Sequence, residues 1–148
     1  MIKQLIQLFV FILFIVLLFF SFFLKKQGKK IMKFHDNIIT LTQQNNNYHQ
    51  EIATAQYSQV VLMNIRPQEE IGEEVHPNTD QLLIFVSGTG KAILNGETSS
   101  INPGDLILVP AGTRHNIINA GIENLKLYTI YTPPHHKPGT VHTTKAEE

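Results

Sequence analysis

The stretch EEVHPNTDQ, residues 73–81, sets a single histidine, His76, among four side chains that can offer an oxygen to a cation: Glu73, Glu74, Asp80 and Gln81. Imidazole and carboxylate together suit divalent ions of borderline softness, and such an ion acts as a Lewis acid on a bound oxygen. Taken alone, the stretch fits a metal site with unusual ligands, the remnant of one, or a polar loop. A lone histidine beside Pro77 in a polar loop is ordinarily solvated, so the surrounding elements decide.

Those elements read as strands. From Asp36 onward the chain is a series of short β-type runs punctuated by turns, with no long 3.6-residue periodicity. The runs are IITLT (38–42), SQVVLMNIRP (58–67), QLLIFVSG (81–88), GKAILNGE (90–97), DLILVPAG (105–112), HNIINAG (115–121) and LKLYTIY (125–131), with a polar loop QQNNNYHQ at 43–50. Spacing of about 8 to 12 residues between such runs predicts an antiparallel sandwich or barrel. Asn95-Gly96 is a two-residue hairpin signal, because both positions tolerate positive φ. NPGD (102–105) is a second turn, with Pro103 presetting φ and Gly104 free to go left-handed. If residues 74 and 76 lie on a strand, the i, i+2 spacing turns them to one face. Tyr128 and Tyr131 are expected to share a strand face as core packing. The polar tail from His136 onward is expected to lie along the surface, partly disordered, and His135, His136 and His142 to be inert tail histidines rather than a second metal tract.

Composition narrows the function. A chain of 148 residues without cysteine allows one domain, with no disulfides and no thiolate chemistry. Residues 1–31 carry five lysines and no acids. Residues 32–148 carry seven basic residues against twelve acids, a net charge of −5. An acidic domain without a basic stripe argues against nucleic acid as a partner. LIQLFVFILFIVLLFFSFFL (5–24) is apolar apart from Gln7 and Ser21, and its length predicts a helix that crosses a bilayer of roughly 30 Å. The following KKQGKK then predicts a single-pass anchor with a cytoplasmic domain. A second reading starts translation at Met32, with QGKKIM as a translated ribosome-binding site, and gives a cytoplasmic protein. The expected organisation is an N-terminal anchor over 1–31, a β-barrel over 36–134 and a tail over 135–148.

GDLILVPAGTRHNIIN (104–119) reads Gly-x5-Pro-x-Gly-x2-His-x3-Asn, and it resembles the second signature of the cupin superfamily at Gly104, Pro110, Gly112, His115 and Asn119. The first signature, Gly-x5-His-x-His-x3-or-4-Glu-x6-Gly, aligns on Gly88. Gln81 then takes the glutamate position, His76 the second histidine, Glu74 the first histidine and Gln68 the opening glycine. SQVVLMNIRPQEEIGEEVHPNTDQ and KLYTIYTPPHHKPGTVHTTK also resemble small single-domain cupins described as mannose-6-phosphate-isomerase-like. The resemblance covers roughly residues 36–145.

It implies an all-β cupin jelly-roll barrel, here preceded by the N-terminal transmembrane helix. It also implies one divalent ion (Mn, Fe, Ni or Zn) on Glu74, His76, Gln81 and His115, with Glu74, if unligated, or Asp80 as catalytic base. The barrel would take a small sugar-like or oxygenated metabolite. Isomerisation, metal-dependent dioxygenation and binding without turnover at a decayed site all remain open. By analogy the protein forms a homodimer. Glu73 is expected to be solvated and Arg114 to point away from the site.

Overall fold

The computed structural model describes residues 34–147, together with Gln4. The chain divides into two compact units, Met1–Phe34 and His35–Glu148, and the following concerns the second. After helix α1 (Ile38–Gln44) come ten strands: β1 (His49–Thr54), β2 (Gln59–Ile65), β3 (Glu74–Val75), β4 (Asp80–Ser87), β5 (Gly90–Leu94), β6 (Glu97–Ile101), β7 (Leu106–Val109), β8 (Arg114–Asn119), β9 (Leu125–Thr132) and β10 (Val141–His142). They form a six-stranded sheet, β10-β1-β2-β9-β4-β7, and a four-stranded sheet, β3-β8-β5-β6.

Every ladder is antiparallel. Alternate residues of β4, β8 and β9 are buried, the pattern of strands with one face on a core. Val61, Met63, Ile65, Leu83, Phe85, Ala92, Ile117, Leu125 and Leu127 fill that core. The predicted hairpin forms between β5 and β6, with Asn95 at φ 49° and Gly96 at φ 89°.

The expected membrane-spanning helix ahead of the barrel is corrected. Among the described residues no helix is long and apolar enough to cross a membrane, and the helix that precedes the strands has 7 residues. Residues 5–24 lie outside the described residues, so the single-pass placement has no support in the structure. The fold described is all-β with this one short α-helix.

Three further expectations change. IITLT is helical rather than extended: the Asn37 side chain accepts from the Thr40 N–H at 3.0 Å, and Thr42 Oγ1 donates to the Ile38 carbonyl at 2.8 Å. Lys126 Nζ of β9 caps the far end at the carbonyls of Gln43 and Asn45. These contacts outweigh a β-branched composition that favours strands. The 43–50 loop conceals the start of β1, and the tail is built into the sheet through β10. Tyr128 and Tyr131, three residues apart on a strand, fall on opposite faces, and only Tyr131 is buried.

One turn is strained. Arg66-Pro67-Gln68-Glu69 closes with the Glu69 N–H on the Arg66 carbonyl at 3.0 Å. Gln68, third in the turn, sits at φ 68°, a conformation that costs a side-chain-bearing residue roughly 1–2 kcal/mol. Gln68→Gly is expected to leave stability unchanged or raise it by up to about 1 kcal/mol, the relief being partly offset by a freer unfolded chain. Urea denaturation measures it, and a clear loss of stability contradicts the strain.

Candidate metal centre

The two-residue strand β3 is hydrogen-bonded to β8 with Glu74 directly opposite His115. Directly opposed side chains on one face lie about 5 Å apart, close enough to share a ligand. His76, just past β3, joins them. Glu74 Oε2 lies 3.3 Å from His76 Nε2 and 3.9 Å from His115 Nε2. The imidazole rings are 5.1 Å apart. One donor atom from each of Glu74, His76 and His115 lies within 4.8 Å of the others. Donors sharing an ion at about 2.1 Å lie roughly 3 to 3.5 Å apart, so the trio fits a metal with small adjustments.

Hydrogen bonding prepares the histidines. His115 Nδ1 is 2.9 Å from the Thr113 carbonyl. A carbonyl only accepts, so Nδ1 carries a proton, and in the neutral ring Nε2 presents its lone pair. Burial is nearly complete for His115 (2 % exposed), His76 (6 %) and Gln81 (1 %), yet His76 Nε2, His115 Nε2 and Gln81 Oε1 have no hydrogen-bond partner. The Glu74–His76 contact is therefore a close charge contact, not an aligned hydrogen bond. Buried acceptors left unmade cost about 1–3 kcal/mol each, a cost that metal coordination removes. Burial pushes the Glu74 carboxyl up, but His76, with His115 and His136 behind it, outweighs this and holds it below the usual range. Glu74 is thus the anion of the group.

Gln81 lies in β4 opposite Tyr131 of β9, and Tyr131 lies opposite Gln59 of β2, so the three form one row across the sheet. Gln81 Nε2 donates to the Tyr131 hydroxyl at 3.0 Å, which leaves the amide oxygen unengaged. Tyr131 meets His76 edge-on at 5.7 Å. Asp80, one residue earlier, is on the other face. It is exposed, and its carboxylate accepts the Ala111 N–H at 2.8 Å. The next N–H, of Gly112, donates to the His76 carbonyl at 2.8 Å. The Pro110-Ala111-Gly112 turn therefore clasps the loop that carries His76, and Asp80 is part of the clasp rather than of the interior. Asn119 is also a clasp: its Nδ2 donates to the carbonyls of Ile65 and Glu123, both at 2.8 Å, and its Oδ1 accepts from Gly121 at 3.0 Å. Glu73 and Arg114 are exposed and pair with each other at 3.3 Å.

Side chains with no local sequence signal crowd the same region. His135 lies 4.3 Å from His76 and stacks on Tyr131. His136 contacts Tyr131 and His49 at 4.9 and 4.4 Å. Gln59 holds the tail there: its Oε1 accepts from His136 N at 2.8 Å and its Nε2 donates to the His136 carbonyl at 2.8 Å. Burial, reinforced by neighbouring histidines, brings His49 and His136 down to about 4 and lowers His135 as well. His49 and His136 are therefore neutral at pH 7. Spacing pointed to residues 74–81 and 115, whereas His49 and the tail histidines meet only through contacts distant in sequence.

The chain matches the cupin domain family over residues 61–131. It is 43 % identical over 130 residues to the uncharacterized protein YrkC of Bacillus subtilis (strain 168), covering 84 % of this chain and 69 % of that one. It is 40 % identical over 109 residues to the uncharacterized protein L612 of Acanthamoeba polyphaga mimivirus, covering 71 % and 68 %. The crystal structure of BH2720 from Bacillus halodurans superposes with a TM-score of 0.76 at 38 % identity, covering 82 % of this chain and 94 % of that chain. Two sheets with Glu74 and His115 opposed across β3 and β8, and relatives of this closeness, lead to one assignment: the chain belongs to the cupin family, as a small single-domain cupin.

Proposed function

We propose that the protein binds one divalent first-row metal ion through Glu74, His76 and His115, with Gln81 as a weaker fourth donor, and takes a small oxygenated, sugar-like metabolite beside it. The observation that carries this is the pair of buried, unpartnered Nε2 atoms flanking the Glu74 carboxylate. A bound ion of this kind supplies Lewis acidity to a carbonyl or hydroxyl oxygen. The chain's own groups do the rest. Thr113 fixes the His115 tautomer, Glu74 supplies the negative charge, and Tyr131 with Gln81 forms a polar wall that can hydrogen-bond a hydroxylated ligand. The apolar core beneath excludes water from that side.

The ligand class follows from charge. The only two arginines, Arg66 and Arg114, are exposed, and Arg114 is paired with Glu73. With Arg114 engaged by Glu73, a polyol, keto or hydroxy-acid ligand fits better than a phosphosugar. Binding without turnover is the second reading. It is favoured by the outward placement of Asp80, which leaves Glu74 the one carboxylate of the cluster, engaged by imidazoles.

His115→Ala is expected to remove one equivalent of divalent metal from untagged protein measured by elemental analysis, and full retention overturns the ligand assignment. Gln81→Glu adds a charged donor and is expected to tighten zinc binding at least tenfold in competition with a chromophoric chelator. Unchanged affinity places Gln81 outside the coordination set. A thermal-shift panel on metal-loaded protein is expected to show stabilisation by neutral sugars or hydroxy acids, and none by hexose phosphates beyond their unphosphorylated parents. A stronger response to the phosphates reverses the ligand class.

A further inference from the structure

Six of the chain's seven histidines form one contiguous file, His142–His49–His136–His135–His76–His115. The His76–His115 end, with Glu74, is the centre described above. The other end supplies none of the three donors grouped there. His49, on β1, is fully buried, and neither of its ring nitrogens has a hydrogen-bond partner. His136 Nε2 and His142 Nδ1 are buried and unpartnered as well. A neutral imidazole carries one N–H donor and one lone pair, so four such nitrogens packed together are a net cost unless something binds them.

The scaffold holds this trio in place deliberately. His142 is in register with His49 through the β1–β10 ladder. Gln59 clamps the backbone of His136 from both sides, and Glu51 Oε2 accepts the Gly139 N–H between them at 2.5 Å. The rings of His136 and His142 stand 4.4 and 5.4 Å from that of His49. Two imidazoles on one tetrahedral or octahedral ion at about 2.1 Å place their ring centres roughly 4.5 to 5 Å apart, so the spacing suits a shared ion. As described, the three rings do not turn one nitrogen each to a common point, as the Glu74 trio does. Binding therefore requires His136 or His142, both partly exposed, to rotate towards the fixed His49.

We propose that His49, His136 and His142 form a second, all-imidazole site for a transition-metal ion such as Zn(II) or Co(II), separate from the Glu74 centre. Imidazole nitrogens suit these ions, and the absence of a carboxylate from the trio disfavours Mg(II) and Ca(II). The test uses the untagged full chain, stripped with a chelator and titrated with Co(II) by visible absorption and with Zn(II) by calorimetry. Two equivalents are expected. The double variant His136→Ala with His142→Ala is expected to lose one of them, and His115→Ala the other. His49→Phe, which keeps a ring in β1, is expected to lose the same equivalent as the double variant. Circular dichroism melting checks that each variant folds. A parent protein that binds only one equivalent, kept in the double variant, or two equivalents retained in that variant, overturns this site and leaves the Glu74 centre standing. One equivalent lost from the double variant, with none lost from His115→Ala, supports this site and removes the other assignment.

Discussion

A pleated strand delivers every second side chain to the interior, and an interior that small must accept whatever arrives. On β8 the delivered side chains are His115, Ile117 and Asn119: a candidate ligand, a core residue and a clasp. On β4 they are Gln81, Leu83 and Phe85, and on β9 Tyr131, Thr129, Leu127 and Leu125. The registers stack these into rows, with Gln59, Tyr131 and Gln81 in one row and Met63, Leu127 and Phe85 in another. One end of the barrel is therefore polar and the other apolar, without any element devoted to either. A slip of one residue in β3 would turn Glu74 away from His115, so the shortest ladder at the site carries the tightest constraint.

The same periodicity explains what could be read from the chain. The Asn95-Gly96 hairpin and the strands over 59–65, 80–87, 114–119 and 125–132 depend on local patterns and turn chemistry, and they formed where those patterns lie. The alignment of the first signature on Gly88 left Gln68 in place of a glycine, and Gln68 takes the positive φ that a glycine would take for nothing. The backbone is left-handed where the spacing of the signature puts its glycine. Identity at that position misleads, while spacing does not.

What could not be read depends on distant partners. His49–Thr54 mixes polar and apolar residues without strict alternation, and its ladder partners lie in β2 and in β10 at the far end of the chain. The tail is poor in apolar residues, so nothing in its composition requires burial. It is ordered by Gln59, Glu51 and the β1 edge, which satisfy its backbone groups one by one. The IITLT segment was decided by Asn37, a single capping side chain, against the propensity of the residues that follow it. The long apolar stretch over 5–24 satisfies a length and hydropathy rule, and such a rule supplies neither a bilayer nor a helix; no helix among the described residues crosses one.

Charge ties the site to its ligand. With both histidines ligating as neutral imidazoles, the Glu74, His76 and His115 trio would bring one negative charge, that of Glu74, which its neighbours hold below the usual carboxylate range. A glutamate at position 81 would bring a second charge and neutralise a divalent ion completely. Beside a divalent ion, Gln81 would leave one positive charge uncompensated, and its amide donates to the Tyr131 hydroxyl. With Arg114 paired to Glu73, that residual charge would be an attraction for an oxygen-bearing ligand, acting at short range. A glutamine rather than a glutamate at this position would thus place more of the recognition on the ion than on side-chain charge.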